Sequence, residues 1–125
     1  MAKSVNIRVG TAIIEMDRIK KACKNKKFLS DYFSADEIRF LVKHRLNNAL
    51  IAENYCVKIA IAKALGTGMR FMRAHEITVI RDRLGAPMII LDGYAKMLEQ
   101  REDFEISISV SHCKDYATAS VILTR

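Results

Sequence analysis

Ser111 followed directly by His112 is the most direct hint of chemistry in the chain, a hydroxyl beside an imidazole that could take its proton. Such a pair works when a third group orients the base, and no third orienting carboxylate is evident. Ser111 and His112 therefore read as a hairpin end that contacts a cofactor, or as a turn serine and histidine. A second cluster is purely electrostatic. Arg18, Lys20, Lys21, Lys24, Lys26 and Lys27 crowd ten residues of a chain whose formal charge is +7. If one helix carries them, positions 20, 24 and 27 share a face and their like charges repel unless something acidic answers them. Nucleic acid, anionic lipid, an acidic protein and a phosphorylated cofactor are the polyanions to consider, against a merely solvated face. Cys23, Cys56 and Cys113 are odd in number and widely spaced. They suggest neither a zinc site nor a disulfide framework, and fit a reducing, cytoplasmic setting. His44 and His75 carry no motif and read as surface residues.

The elements that would position these groups follow from periodicity. Val5, Ile7 and Val9 alternate with polar residues, predicting a strand that runs on to Ile14. From Met16 the spacing turns helical, with Ile19, Ala22 and Cys23 on one side. Ser34 and Glu37 form a capping-box signature that opens a short helix through Ile38 and Leu41. The longest element is a helix over 47–65, closed by Gly66 at the left-handed cap position. A strand at 77–80, a turn at 81–87 around Gly85 and Pro87, and a strand at 88–91 come next. Asp92 is expected to cap a short helix through Leu98. Alternation at 104–110 and 116–123 predicts a terminal hairpin whose loop is 112–115. With 125 residues, half of them apolar, and no Pro/Gly/Ser-rich linker, the chain reads as one domain, 1–125. The class is α+β, because strands and helices mix without strict alternation. No apolar run reaches membrane-spanning length, and residues 1–4 lack the stretch a secretory signal needs.

Four segments, in order and at matching spacing, resemble the holo-acyl-carrier-protein synthase family of 4′-phosphopantetheinyl transferases. Residues 10–19, GTAIIEMDRI, are similar to its opening G-x-D-I-V-E-x-x-R-I. Residues 58–68, KIAIAKALGTG, resemble its K-E-A-x-x-K-A-x-G-T-G helix. Asp82 to Pro87 resemble the D-x-x-G-x-P turn, and 108–119 the S-x-S-H-x-x-x-Y-A-x-A hairpin. The resemblance implies transfer of 4′-phosphopantetheine from coenzyme A to a serine of an acyl carrier protein, with release of 3′,5′-ADP. It implies a homotrimer with coenzyme A between neighbouring subunits. Lys58, Lys63, Gly66, Gly68, Gly85, Pro87, Ser111 and His112 would then line the cofactor, with Lys63 the catalytic cation. Arg18, Lys20, Lys21, Lys24 and Lys27 would dock the acidic carrier protein.

The departures are as specific as the matches. The family holds magnesium with the Asp of the first motif and the Glu of K-E-A; here those positions are Ala12 and Ile59, and neither offers an oxygen. Magnesium takes octahedral oxygen ligands, commonly one or two carboxylates with phosphate and water. On a regular strand Glu15 and Asp17 point away from Ala12's face, and Glu53 lies about 120° round the helix from Ile59. A family arginine near the start of that helix is Asn54 here. Three functions follow: a transferase with impaired activity, a non-catalytic relative that binds coenzyme A or a carrier protein, perhaps beside an active homologue, and a nucleic-acid binder. The last has the charge but no Trp, and no aromatic residue within its basic run for base stacking.

Overall fold

The computed structural model describes residues 6–66, 68 and 72–125. Val5 of the expected first strand and Thr67 of the Gly66-Thr67-Gly68 segment lie outside them. Strand β1 (Ile7–Glu15) leads into helix α1 (Met16–Ala22), then α2 (Phe28–Tyr32), α3 (Ala35–Lys43) and α4 (Asn48–Ala64). After a 3₁₀ turn (Ala74–Glu76) come β2 (Ile77–Arg81), β3 (Pro87–Leu91), α5 (Gly93–Glu102), β4 (Glu105–His112) and β5 (Tyr116–Thr124). The class is α+β. β1, β5 and β4 form one antiparallel sheet in that order, and β2 pairs only with β3.

α4 is the axis of the molecule. Asn47 caps its start, its side chain accepting from the amides of Ala49 at 2.8 Å and Leu50 at 3.2 Å. Gly66, at φ +80°, takes the left-handed turn at its end. Most of its circumference is buried, as a helix apolar on nearly all sides should be. It lies across β1 and β5, where Gly10 pairs with Val121 and Ala12 with Ala119. A Cβ on Gly10 would stand 1.9 Å from the Ala60 carbonyl oxygen, so helix and strand approach this closely only because residue 10 has no side chain. Val57, Ile61, Val79, Val121 and Leu123 fill one core cluster; Met16, Ile19, Phe33, Leu41 and Ile51 fill a second around α1 and α3. Each fully buried side chain of this size contributes roughly 1.5–3 kcal/mol.

Three local expectations change. The helix begun at Met16 stops at Ala22, and α2 is a separate short helix not foreseen. Lys24 therefore sits in the connecting turn and Lys27 at the start of α2, so 20, 24 and 27 do not form one helical stripe. Asp92 precedes α5 without capping it by side chain; Glu76 instead accepts from the Tyr94 amide at 3.2 Å, and α5 runs on to Glu102. The terminal strands extend to His112 and begin again at Tyr116, leaving a turn of three residues.

Candidate active site

β1, β5 and α4, with Arg18 of α1, line a cleft of about 630 Å³. Ala12 comes from the inward face of β1, and Tyr55, Cys56, Ile59 and Lys63 from one face of α4. Arg18, on α1, closes another side. The sequence-predicted positions 12, 59 and 63 are thus brought together, with Arg18 beside them. Lys63 is exposed and its ammonium donates to the Thr11 carbonyl at 3.0 Å, which holds the cation at the strand edge next to Ala12. Arg18 and Lys63 make the cleft cationic, and Ala12, Ile14 and Ile59 line it together with the hydroxyl-bearing Thr11, Tyr55, Thr118 and Ser120. It can hold a polyanion by charge.

It does not fit a magnesium ion. Ala12 and Ile59 contribute methyl and methylene groups where oxygen is required. β1 is regular, so Glu15 points outward, and Asp17 and Asp115 join it in a separate shallow depression. Among the described residues no three His, Cys, Asp or Glu side chains converge as a metal site would need. Burial shifts what remains: the Cys56 thiol is pushed up to about 11 by desolvation and secondarily by the Glu53 charge, and desolvation also raises the Tyr55 phenol.

Lys58 is a correction. Its side chain is 0% exposed and its ammonium meets Glu37 Oε1 at 2.5 Å, the Ala74 carbonyl at 2.9 Å and the Ile77 carbonyl. All three protons are used by the protein, so none is left for a phosphate. Glu37 also accepts from the Ser34 amide at 3.0 Å in the expected capping box, and thereby ties α3 to α4. Desolvation lowers the Lys58 ammonium and raises the Glu37 carboxyl, while the pairing opposes both shifts.

Gly66 and Gly68 end α4 through left-handed backbone, with the Gly68 amide donating to the Ala62 carbonyl at 3.1 Å. Gly85, at φ +89°, makes the hairpin turn, whose Asp82 side chain accepts from the Leu84 and Ala86 amides at 2.8 and 2.9 Å. Pro87 opens β3. None of the four lines the cleft. His44 leans on the Phe40 carbonyl at 3.0 Å, and His75 lines a second cavity of about 700 Å³ with Tyr32 and Arg73.

His112 is the second correction, because a third orienting carboxylate does exist. Glu53 Oε2 lies 2.9 Å from His112 Nδ1, and Arg81 donates to Glu53 Oε1 at 3.1 Å, to Asn54 Oδ1 at 3.0 Å and to the Gly85 carbonyl at 3.3 Å. The turn and the hairpin end, expected separately at a cofactor, are wired together through residues not foreseen. The signal was present: Glu53 and Asn54 are adjacent polar residues in a helix otherwise fit for the interior, and buried polar groups require partners. Which partners, the linear sequence does not say.

A buried helix lying against a three-stranded antiparallel sheet, with a cationic cleft beside the first strand and a separate β-hairpin flanking the helix, defines a small α+β class. The chain belongs to the 4′-phosphopantetheinyl transferase superfamily, whose family model matches residues 8–121. It is 37% identical over 123 residues to the holo-[acyl-carrier-protein] synthase of Clostridium perfringens, covering 94% of this chain and 92% of that one. The holo-[acyl-carrier-protein] synthase of Neisseria meningitidis superposes with a TM-score of 0.85 at 25% identity, over 94% of this chain and 98% of that one. The Bacillus anthracis enzyme, solved in complex with CoA (3′,5′-ADP), superposes at 0.78 with 28% identity, over 97% and 98%.

Proposed function

We propose that the chain performs its family's reaction slowly, moving 4′-phosphopantetheine from coenzyme A to a serine of an acyl carrier protein, from a cleft stripped of its metal carboxylates. The observation that carries this is the pairing of Ala12 and Ile59 beneath a retained Lys63 and Arg18. Lys63 can hold and orient the diphosphate, while Ala12 and Ile59 offer no carboxylate to a cation bridging its oxygens. Loss of such a cation removes several kcal/mol of transition-state stabilisation. At about 1.4 kcal/mol per factor of ten, the rate falls by about a hundredfold to a thousandfold.

The homotrimer implied by resemblance is supported by the outer face of the three-stranded sheet. Ile7, Val9, Ile13 and Ile122 are exposed there, Ile13 by 67%, as an unpartnered monomer rarely leaves them. Docking of an acidic carrier protein is supported by Arg18, Lys20, Lys21, Lys24 and Lys27, all exposed. Among the described residues no helix is long and apolar enough to cross a membrane. The three cysteines are free, which suits work in the cytoplasm.

A non-catalytic role, holding coenzyme A or a carrier protein beside an active homologue, is favoured by the joint loss of both carboxylates. Without a cation, an Asp facing a Glu is a destabilising like-charge pair, and apolar residues relieve it. Incubation with apo carrier protein, coenzyme A and magnesium, read by mass spectrometry for added phosphopantetheine, separates the two. Slow accumulation is expected; none after long incubation with several carrier proteins leaves the binding role, and rapid turnover would refute the impaired cleft.

A further inference from the structure

Strand β1 has a ladder on one side only. It pairs with β5 in an unbroken register over Ile7–Glu15, and no other described strand pairs with it. In an antiparallel ladder one residue exchanges main-chain hydrogen bonds with its opposite, and the next turns its N–H and C=O away. Contacts at the two ends of this ladder set the phase. The Arg125 amide donates to the Asn6 carbonyl at 3.2 Å, and the Met16 amide to the Asp115 carbonyl at 2.8 Å, both on the same register. Even-numbered residues of β1 therefore bond β5, and Thr11 and Ile13 turn their main-chain groups to the free edge. Lys63 agrees with that phase, since its ammonium donates to the Thr11 carbonyl at 3.0 Å.

The free edge looks into the cleft. Thr11, Ala12, Ile13 and Ile14 all line it, although successive side chains of a strand point to opposite faces, so the strand meets the cleft edge-on. The Ile13 N–H and C=O are thereby presented as a donor and an acceptor. An unpaired edge of this kind is a template for another extended chain with amides of its own.

We propose that the Ile13 N–H and C=O pair with the amides of the pantetheine arm of coenzyme A, which lies along β1 as a short added strand. The assignment rests on the transfer reaction proposed above. The arm is an extended chain with a pair of secondary amides, each a donor and an acceptor. Its diphosphate end meets Lys63 and Arg18 in the same cleft, and its methyl-bearing pantoate carbon meets Ile14 and Ile59. A nucleotide without the arm meets the cations and leaves the edge unpaired. Main-chain pairing thus selects the group to be transferred, while the cations hold the phosphates.

Amide hydrogen exchange, read residue by residue by NMR, tests this without turnover. In the unliganded chain the Ile13 amide is expected to exchange at least about tenfold faster than those of Ala12 and Ile14, which bond β5. Coenzyme A is expected to slow Ile13 by about tenfold or more, and 3′,5′-ADP to leave it unchanged. Slow exchange of Ile13 without ligand overturns the free edge. Equal slowing by the two ligands, or by neither, overturns the pairing and leaves transfer standing. Slowing by apo carrier protein alone gives the edge to a peptide and overturns the proposal.

A substitution supplies an independent arm. Proline is tolerated on an edge strand where the N–H faces away from the ladder, so Ile13→Pro removes the donor and is expected to fold. By titration calorimetry it should weaken coenzyme A about fivefold to tenfold and change 3′,5′-ADP by less than about twofold. Ile13→Ala keeps the donor and is expected to weaken neither by more than about twofold. Equal losses in Ile13→Ala and Ile13→Pro overturn main-chain recognition, and should Ile13→Pro not fold, the exchange measurement still decides. Protection of Ile13 by coenzyme A in a chain that modifies no carrier protein overturns the transfer reading while the pairing stands.

Discussion

Lys58 and Lys63 lie five residues apart on one helix and match the same family motif, yet they occupy opposite physical worlds. Lys63 stands at the cleft rim, exposed, touching one carbonyl. Lys58 is sealed in the interior with Glu37 and two carbonyls. The same contrast divides α4 as a whole. On the cleft face Ile59 carries no charge, whereas on the inner faces Glu53, Asn54 and Lys58 all have partners. The buried charges of the helix are the ones that tie elements together.

The sharpest test of that contrast is to neutralise each lysine. Lys58→Met leaves Glu37 buried without its counter-charge and is expected to lower stability by about 3–5 kcal/mol in urea unfolding. Lys63→Met is expected to change it by less than about 0.5 kcal/mol. Equal losses would mean that the two faces do not differ as described.

Next in size is rebuilding the cleft. Ala12→Asp with Ile59→Glu is expected to raise phosphopantetheine transfer by about a hundredfold to a thousandfold in magnesium. Thermal unfolding of that variant should become dependent on magnesium concentration, while the unaltered chain's should not. If transfer does not rise, the missing carboxylates are not what limits the cleft.

A smaller effect is expected on the basic surface. Lys20→Glu, Lys21→Glu and Lys24→Glu together are expected to weaken carrier-protein binding about tenfold or more at low salt, measured by titration calorimetry. The difference should shrink as salt is raised toward 1 M, because exposed charges are screened. Docking indifferent to both would move the partner elsewhere.

The mildest test concerns thiols. Cys56, pushed up to about 11 and buried, stays protonated at pH 8, and its thiolate fraction rises only as pH approaches that value. Iodoacetamide at pH 8 should therefore label exposed Cys113 first and Cys56 last, as read by peptide mass spectrometry. Early labelling of Cys56 would show that the cleft opens further than the packed structure allows.

Much of the architecture could be read in the chain before any coordinates. Alternation at 7–14, the Ser34–Glu37 capping box, Asn47 and Gly66 at the ends of α4, and the Asp82 to Pro87 turn all follow local rules, and local geometry decides them. That the side chains of Ala12 and Ile59 offer no oxygen was equally legible, because residue type alone decides it. Only the tertiary structure could show that Lys58 is interior, that the basic run is broken at Ala22, and that Glu53 reaches across to Arg81 and His112. Those facts depend on which residues distant in sequence meet, 59 positions apart for Glu53 and His112. A side chain's type limits what it can bond to, and packing alone selects which bond it makes.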